Sequence, residues 1–361
     1  MLLNISDKQF REIIKDEKLY LPIRWDGKDF EDKLNDLFHL YIQKIRFLVK
    51  KDEMLSNGVY LSKGYNEIKL ICNLLIESIH AYHNGFPAQA YGFLGEVMNL
   101  LMKRPLNIYQ KSGTLGLKMK DYLFLYRLRK VKDNALHDRK DLFHVPAGCR
   151  SNISTCRYSI AGYPSLYLTT SVKLGKEELG TSKNVIVSRY QLIRSQRQIN
   201  IRVLELAIKP QDFYPDEQQE QGNAVKKREF DMPYLMLYET RSNYLRWYPL
   251  IAACSFIRAN RDAPFASEYI IPQLLMQWVR NQLNSDDLMG IRYFSCASAR
   301  ASDMGFDYVF PVNNTDYEGN YCTVLRDAFG LTVPVRINEF ENIGQCEEYL
   351  KNVSSSAFKK I

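Results

Sequence analysis

RYSIAGYPSLYLTTSVKLGKEEL, residues 157–179, is the stretch from which the rest of the chain is read. Within it SLYLTTSV alternates, so an extended segment puts Ser165, Tyr167 and Thr169 on one face and Leu166 and Leu168 on the other. The leucines are expected to point into a core and Tyr167 away from them. A turn over residues 159–164, with Gly162 and Pro164 in it, returns Arg157 and Tyr158 toward the start of that strand. Downstream, KEELG supplies Glu177 and Glu178 at or near a helix. Taken singly, each side chain has an ordinary use: a turn arginine is solvated or paired, a strand tyrosine packs, a glutamate pair faces water. Taken together they predict an arginine, an aromatic face and a carboxylate converging on one cleft.

Upstream of this stretch the pattern is helical. Ile68, Ile71, Cys72, Leu75, Ile79 and Tyr82 recur at three- and four-residue steps, and Leu37, Leu40, Tyr41, Ile45, Leu48 and Val49 form a second stripe. Loop-forming clusters separate them, so three or four helices are expected before Pro105. Beyond Pro105 the apolar runs shorten. DYLFLYRL, PSLYLTT, INIRVLELAI and FDYVFPV read as strands, with helices expected near Leu250–Ala259 and over Pro272–Leu283. The polar stretch Lys209–Lys227 reads as a long loop. The expected fold is therefore α+β: a helical N-terminal domain, residues 1–110, followed by a mixed α/β domain, residues 111–361.

The 361 residues are 46% hydrophobic and 25% charged, the composition of an ordinary globular protein. A formal charge of +8 suits an anionic small molecule as well as nucleic acid and decides neither. The seven cysteines contain no CxxC pair, and no histidine stands near them at metal-ligand spacing, so they read as reduced thiols. No secretory leader or membrane-length apolar run is seen, and a cytoplasmic protein without a membrane partner is expected. His80 and His83 lie one helical turn apart beside Cys72 but lack a third ligand, so no metal is expected there.

One family shares this arrangement of residues. Arg157-Tyr158-Ser159, then Gly162 to Leu168, then Ser171, with Glu178 eleven residues after Tyr167 and Tyr167 ten after Arg157, resembles the RES domain, named for its arginine, glutamate and serine. Tyr126-Arg127 resembles the family's early aromatic-arginine pair, with Arg129 competing for the role. Ser295 in GIRYFS is the best match for the serine, with Ser267 and Ser298 as competitors. The resemblance runs over roughly Met119–Val312. It departs from the family in the spacing from Arg127 to Arg157 and in the Lys209–Lys227 loop.

That resemblance implies an ADP-ribosyltransferase-like core and attack on NAD as substrate, with no cofactor or metal. Glu178 would face the oxocarbenium-like ribose left as nicotinamide departs, Arg157 and Arg127 would hold the pyrophosphate, Tyr167 would offer a ring face or a hydroxyl, and Ser295 would orient ribose or phosphate. Water or phosphate is the expected acceptor, making a glycohydrolase or phosphorylase. A mono-ADP-ribosyltransferase acting on a protein is the alternative. Depletion of NAD would suit a toxin or phage-defence effector, restrained by the helical domain or by a separate antitoxin-like or regulatory partner, and an amphipathic stripe of the helical domain could serve such a partner or a homo-oligomer.

Two further readings compete. Arg139 and His144 fit the R-x4-H pair of HEPN-type ribonucleases, and a degenerate RES fold could bind a nucleotide without cleaving it. GTLGLK, residues 113–118, has neither P-loop nor dinucleotide-fingerprint spacing. The basic run YRLRKVK, residues 126–132, reads as a solvated strand edge beside an anion site rather than a nucleic-acid surface.

Overall fold

The computed structural model describes residues 6–53, 59–106, 124–132, 136–180, 184–193, 200–214, 238–283, 287–313 and 320–361. Its fold is α+β, and the chain divides into two compact units. Met1–Gly116 and Ala207–Trp278 make the first, Leu117–Leu206 and Val279–Ile361 the second.

The first unit is helical. It holds α1 (Asp7–Ile14), α2 (Phe30–Glu53), α3 (Val59–His83), α4 (Pro87–Leu101), α6 (Tyr238–Ala253) and most of α7 (Ile270–Asn281). Ser6 starts α1 through a capping box with Gln9, which satisfies two backbone N–H groups that the helix itself leaves open. Both apolar stripes are core: Leu37, Tyr41, Ile45 and Leu48 of α2 are buried, as are Ile68, Ile71, Cys72, Leu75 and Ile79 of α3. Helix α6 is buried on every side rather than along one stripe, with Tyr244, Leu245, Trp247, Tyr248, Leu250 and Ile251 all inside. Such rings need partners for their polar atoms. Trp247 Nε1 donates to Arg104 O at 2.9 Å, Tyr248 to Leu19 O at 3.0 Å and Tyr244 to Ile208 O at 3.2 Å.

Here the structure departs from the sequence expectation in two ways. The helix expected at Leu250–Ala259 begins at Tyr238, runs through Pro249 and stops at Ala253. All-round burial gives it no periodic stripe, and the proline disguises its start. Residues 207–278 also pack with the helical unit instead of continuing a second domain from residue 111, because the aromatic body of α6 is enclosed by α3 and its neighbours. Of the expected Lys209–Lys227 loop, Pro210–Asp212 is a 3-10 turn, and its later part lies outside the described residues, as does GTLGLK.

The second unit is built on an eight-stranded sheet: β1 (Leu125–Lys130), β2 (Ser165–Thr169), β3 (Val185–Leu192), β4 (Asn200–Leu206), β5 (Asp287–Phe294), β6 (Phe306–Pro311), β7 (Phe329–Leu331) and β8 (Val335–Arg336). Its order is β4-β5-β6-β2-β1-β3-β7, with β8 also pairing β3. Only β4 and β5 run parallel among the described pairs. Each of the four segments read as strands from the sequence holds a strand, and residues 121–123 and 199 of those readings lie outside the described residues. β1 is an interior strand between β2 and β3, not an edge, although Arg129 and Lys130 at its end are exposed.

Among the described residues the unit also holds the helices α5 (Val172–Leu179), α8 (Thr323–Ala328) and α9 (Ile343–Lys351). Tyr126, Val172, Val185, Val187, Ile337, Cys346 and Leu350 form a core between the sheet and the helices α5 and α9. Gly175 allows α5 to lie close against β1, since a Cβ there would fall 2.5 Å from Leu128 Cδ1. Among the described residues no helix is long and apolar enough to cross a membrane.

Candidate active site

Helix α5 delivers Glu178. Ser171 caps its start, its Oγ accepting from Leu174 N at 3.3 Å, and Gly180 at φ +73° turns the chain away after its last residue. With Gly175 setting the approach to the sheet, the last turn of α5 carries Glu178 to Ser295, just past β5. Ser295 follows β5 directly and is fully buried. Its hydroxyl donates to Glu178 Oε1 at 2.7 Å, while its Oγ accepts from Ala297 N at 3.3 Å. The second bond fixes the hydroxyl so that its proton points at the carboxylate.

Of the three serines that compete for this place, the structure brings Ser295 to Glu178. Ser298 bonds Ala301 N at 3.0 Å and reaches Glu177 at 3.5 Å, and Ser267 belongs to the helical unit, 3.3 Å from His83. Arg157 is 8% exposed, and its charge acts on Glu178. Tyr167 lies on β2, half-buried, with its hydroxyl donating to Tyr158 O. That bond leaves the ring, rather than the hydroxyl, as the surface Tyr167 offers. The Tyr158 ring packs on Tyr293 with centroids 4.6 Å apart.

Arg127 stands on β1 in register with Ser188 of β3. Its Nη1 and the Ser188 hydroxyl are both buried without a hydrogen-bond partner among the described residues. Burial draws the Arg127 pKa below its usual value, against the pull of Tyr190, Cys156 and Tyr167 nearby. A guanidinium remains charged under such a shift, so its unpartnered nitrogen can receive an anionic oxygen. The competing Arg129 is exposed and donates to Asp141 O at 3.0 Å.

Two residues in this neighbourhood were not anticipated. Cys156 sits beside Arg157 in the turn, within electrostatic reach of Arg127 and Glu178, and burial raises its thiol pKa. Asp307 is a carboxylate on β6, a strand whose residues are all buried. Register pairs it with Thr169 of β2 and Tyr293 of β5. An aspartate amid FDYVFP was the available signal, because an acid on a wholly apolar strand needs a reason to be there.

The Glu178 carboxyl is raised from its ordinary value. Burial is the largest cause, opposed by hydrogen bonds from Ser295 and Asp307 and by the charge of Arg157. It nonetheless keeps solvent-exposed surface. Asp307 is raised far more, by burial and then by Glu178. The arrangement sets the Glu178 carboxyl against a hydroxyl and within reach of the Arg157 charge, with the Arg127 guanidinium in the same unit.

Arg139 and His144 are engaged elsewhere. Arg139 donates to Leu331 O at 2.8 Å and Ala357 O at 3.1 Å. His144 is fully buried, with Nδ1 2.8 Å from Val145 O and Nε2 accepting from Cys322 N at 2.8 Å, at the start of α8. Both serve the backbone. In the helical unit His80 and His83 approach Glu31 at 3.0 and 3.6 Å, and no group of metal-ligating side chains is found among the described residues.

No family profile matches the chain, and no solved structure matches it. A protein of Bacillus subtilis (strain 168), named "Putative toxin YopC", is 25% identical to it over 336 residues. The match spans 90% of this chain and 70% of the Bacillus protein, so the two are similar through both compact units.

Proposed function

We propose that the protein is a toxin that destroys NAD by breaking the bond between nicotinamide and ribose. The observation that carries this reading is the meeting of Glu178 with Ser295 at 2.7 Å beside Arg157. Departure of nicotinamide takes the bonding electrons to the ring nitrogen and leaves positive charge on the ribose C1′ and ring oxygen. An ionised Glu178 facing that charge stabilises the transition state more than the ground state. Ser295 holds the carboxylate still, and Arg157 keeps it ionised against burial. Arg127, with its unpartnered nitrogen, accepts the pyrophosphate, and the Tyr167 ring gives nicotinamide a face on which to lie.

The RES-like spacing of Arg157, Tyr167 and Glu178 supports the attack on NAD, and the name of the Bacillus relative supports the toxin role alone. Water or phosphate captures the sugar in this proposal; capture by a protein side chain is the mono-ADP-ribosyltransferase alternative. An enzyme of this kind requires restraint inside a cell, and restraint by the helical domain or by an antitoxin-like partner belongs to the same proposal. The positions of Arg139 and His144 give no support to ribonuclease chemistry.

The test is product identification after incubation with NAD in buffer, in phosphate and with candidate protein acceptors. Nicotinamide is expected in each, and the second product names the acceptor. Glu178→Gln, which keeps the shape and removes the charge, is expected to lower release by roughly 10²–10³-fold. Wild type that leaves NAD intact overturns the proposal.

A further inference from the structure

Asp307 is 2% exposed, and its carboxyl lies at hydrogen-bonding distance from that of Glu178. The groups that face it are the Thr169 hydroxyl from β2, the Tyr293 ring from β5 and Glu178 itself from α5. None of these is a cation. Arg157 acts on Glu178, and Arg292, next to Tyr293 on β5, is paired with Glu205 at 2.9 Å on the other face of the sheet. Asp307 Oδ2 is buried and receives no hydrogen bond among the described residues.

An ionised carboxylate only accepts hydrogen bonds, so two of them in contact repel and cannot bond each other. One proton shared between them turns the repulsion into a bond. The proton belongs on Asp307, because Ser295 and Arg157 favour the anion at Glu178 while Asp307 is more deeply buried and has only the Thr169 hydroxyl to favour its anion. We propose that Asp307 stays protonated at neutral pH and donates a hydrogen bond to Glu178, acting as a positioning residue that fixes the reactive carboxylate together with Ser295. This rests on the reading of Glu178 given above. Two acids in one site then have separate tasks, with the environment setting their protonation apart.

When Asp307 loses its proton, the two carboxylates face each other and Glu178 is driven from its place. Wild-type nicotinamide release is therefore expected to fall on the alkaline side. Asp307→Asn supplies a donor that cannot ionise, so it is expected to retain turnover within about tenfold and to lose that alkaline fall. Asp307→Ala supplies no donor and is expected to lose at least ~10-fold in kcat with little change in KM.

Thermal unfolding over the same pH range gives a readout independent of NAD chemistry. A carboxyl whose folded pKa is raised contributes fully below its unfolded pKa, and that contribution is lost as pH rises toward the folded one. The Tm of wild type is thus expected to decline relative to Asp307→Asn above about pH 4, the unfolded aspartate value. Parallel Tm curves for the two proteins, or an alkaline limb that persists in Asp307→Asn, overturn the proposal whether or not NAD is cleaved. Divergent Tm curves in a protein that releases no nicotinamide would uphold the shared proton and overturn the reading of the reaction instead.

Discussion

At the scale of single residues, the Ser295 hydroxyl both orients Glu178 and favours its ionised form, whereas burial opposes ionisation. Removing the hydroxyl leaves burial with less to oppose it, so the Glu178 pKa rises further. If the ionised form is the working one, Ser295→Ala moves the acid limb of the nicotinamide-release profile to higher pH. It also lowers the plateau by about tenfold, the loss of one charge-assisted hydrogen bond. A pH titration of initial rates reads both effects, and a profile that drops without moving would deny Ser295 its electrostatic part. Glu178, Arg157 and Tyr167 were legible because they lie close in the chain and their spacing is fixed by one turn, one strand and one short helix. Asp307 and Cys156 were not. Asp307 reaches Glu178 only because β6 lies beside β2, and strand order leaves no trace in local spacing. Ser295 is intermediate: its residue type and its strand were readable, but only the packed sheet separates it from Ser267 and Ser298.

At the scale of elements, alternation in SLYLTTSV and the Ser171 cap made β2 and α5 readable, and both stand where the pattern puts them. Helix α6 was misread at its start because a helix buried on all sides shows no amphipathic period. The exposed Arg129 and Lys130 of β1 advertise an edge, although its backbone is paired on both sides. The seating of α5 on β1 depends on Gly175. A methyl group there meets Leu128 Cδ1 at 2.5 Å and Thr169 Cγ2 at 3.1 Å, so α5 must lift or both side chains must give. Gly175→Ala is expected to destabilise the protein by about 1–3 kcal/mol, the usual cost of overpacking, and to lower nicotinamide release by moving Glu178 relative to Ser295. Leu128→Ala in the same chain frees the space and is expected to recover part of the activity. Denaturant unfolding together with rate measurements on the single and double variants tests this, and additive losses would show that the contact is not the cause.

At the scale of the whole molecule, composition and helical periodicity announced a helical N-terminal body, but not that residues 207–278 would join it. A chain can leave a domain and return to it, and only tertiary burial records the return. The consequence is physical. Tyr248 of α6 packs on Tyr41 of α2 with ring centroids 4.5 Å apart, Tyr41 donates to Leu245 O at 2.6 Å, and the buried Arg246 pairs with Glu67 of α3. Residues 111–361 alone would carry α6 without α2, α3 and α4. That exposes Tyr244, Trp247, Tyr248, Leu250 and Ile251, each worth roughly 1.5–3 kcal/mol when buried, and leaves Arg246 without its carboxylate. Their sum matches or exceeds the typical net stability of about 5–15 kcal/mol for a folded protein. The 111–361 fragment is therefore expected to aggregate or to bind a hydrophobic dye, and to recover solubility when residues 1–110 are co-expressed as a separate chain. A 111–361 fragment that is monomeric, unfolds cooperatively and binds no dye would mean that the helical body does not need its N-terminal helices.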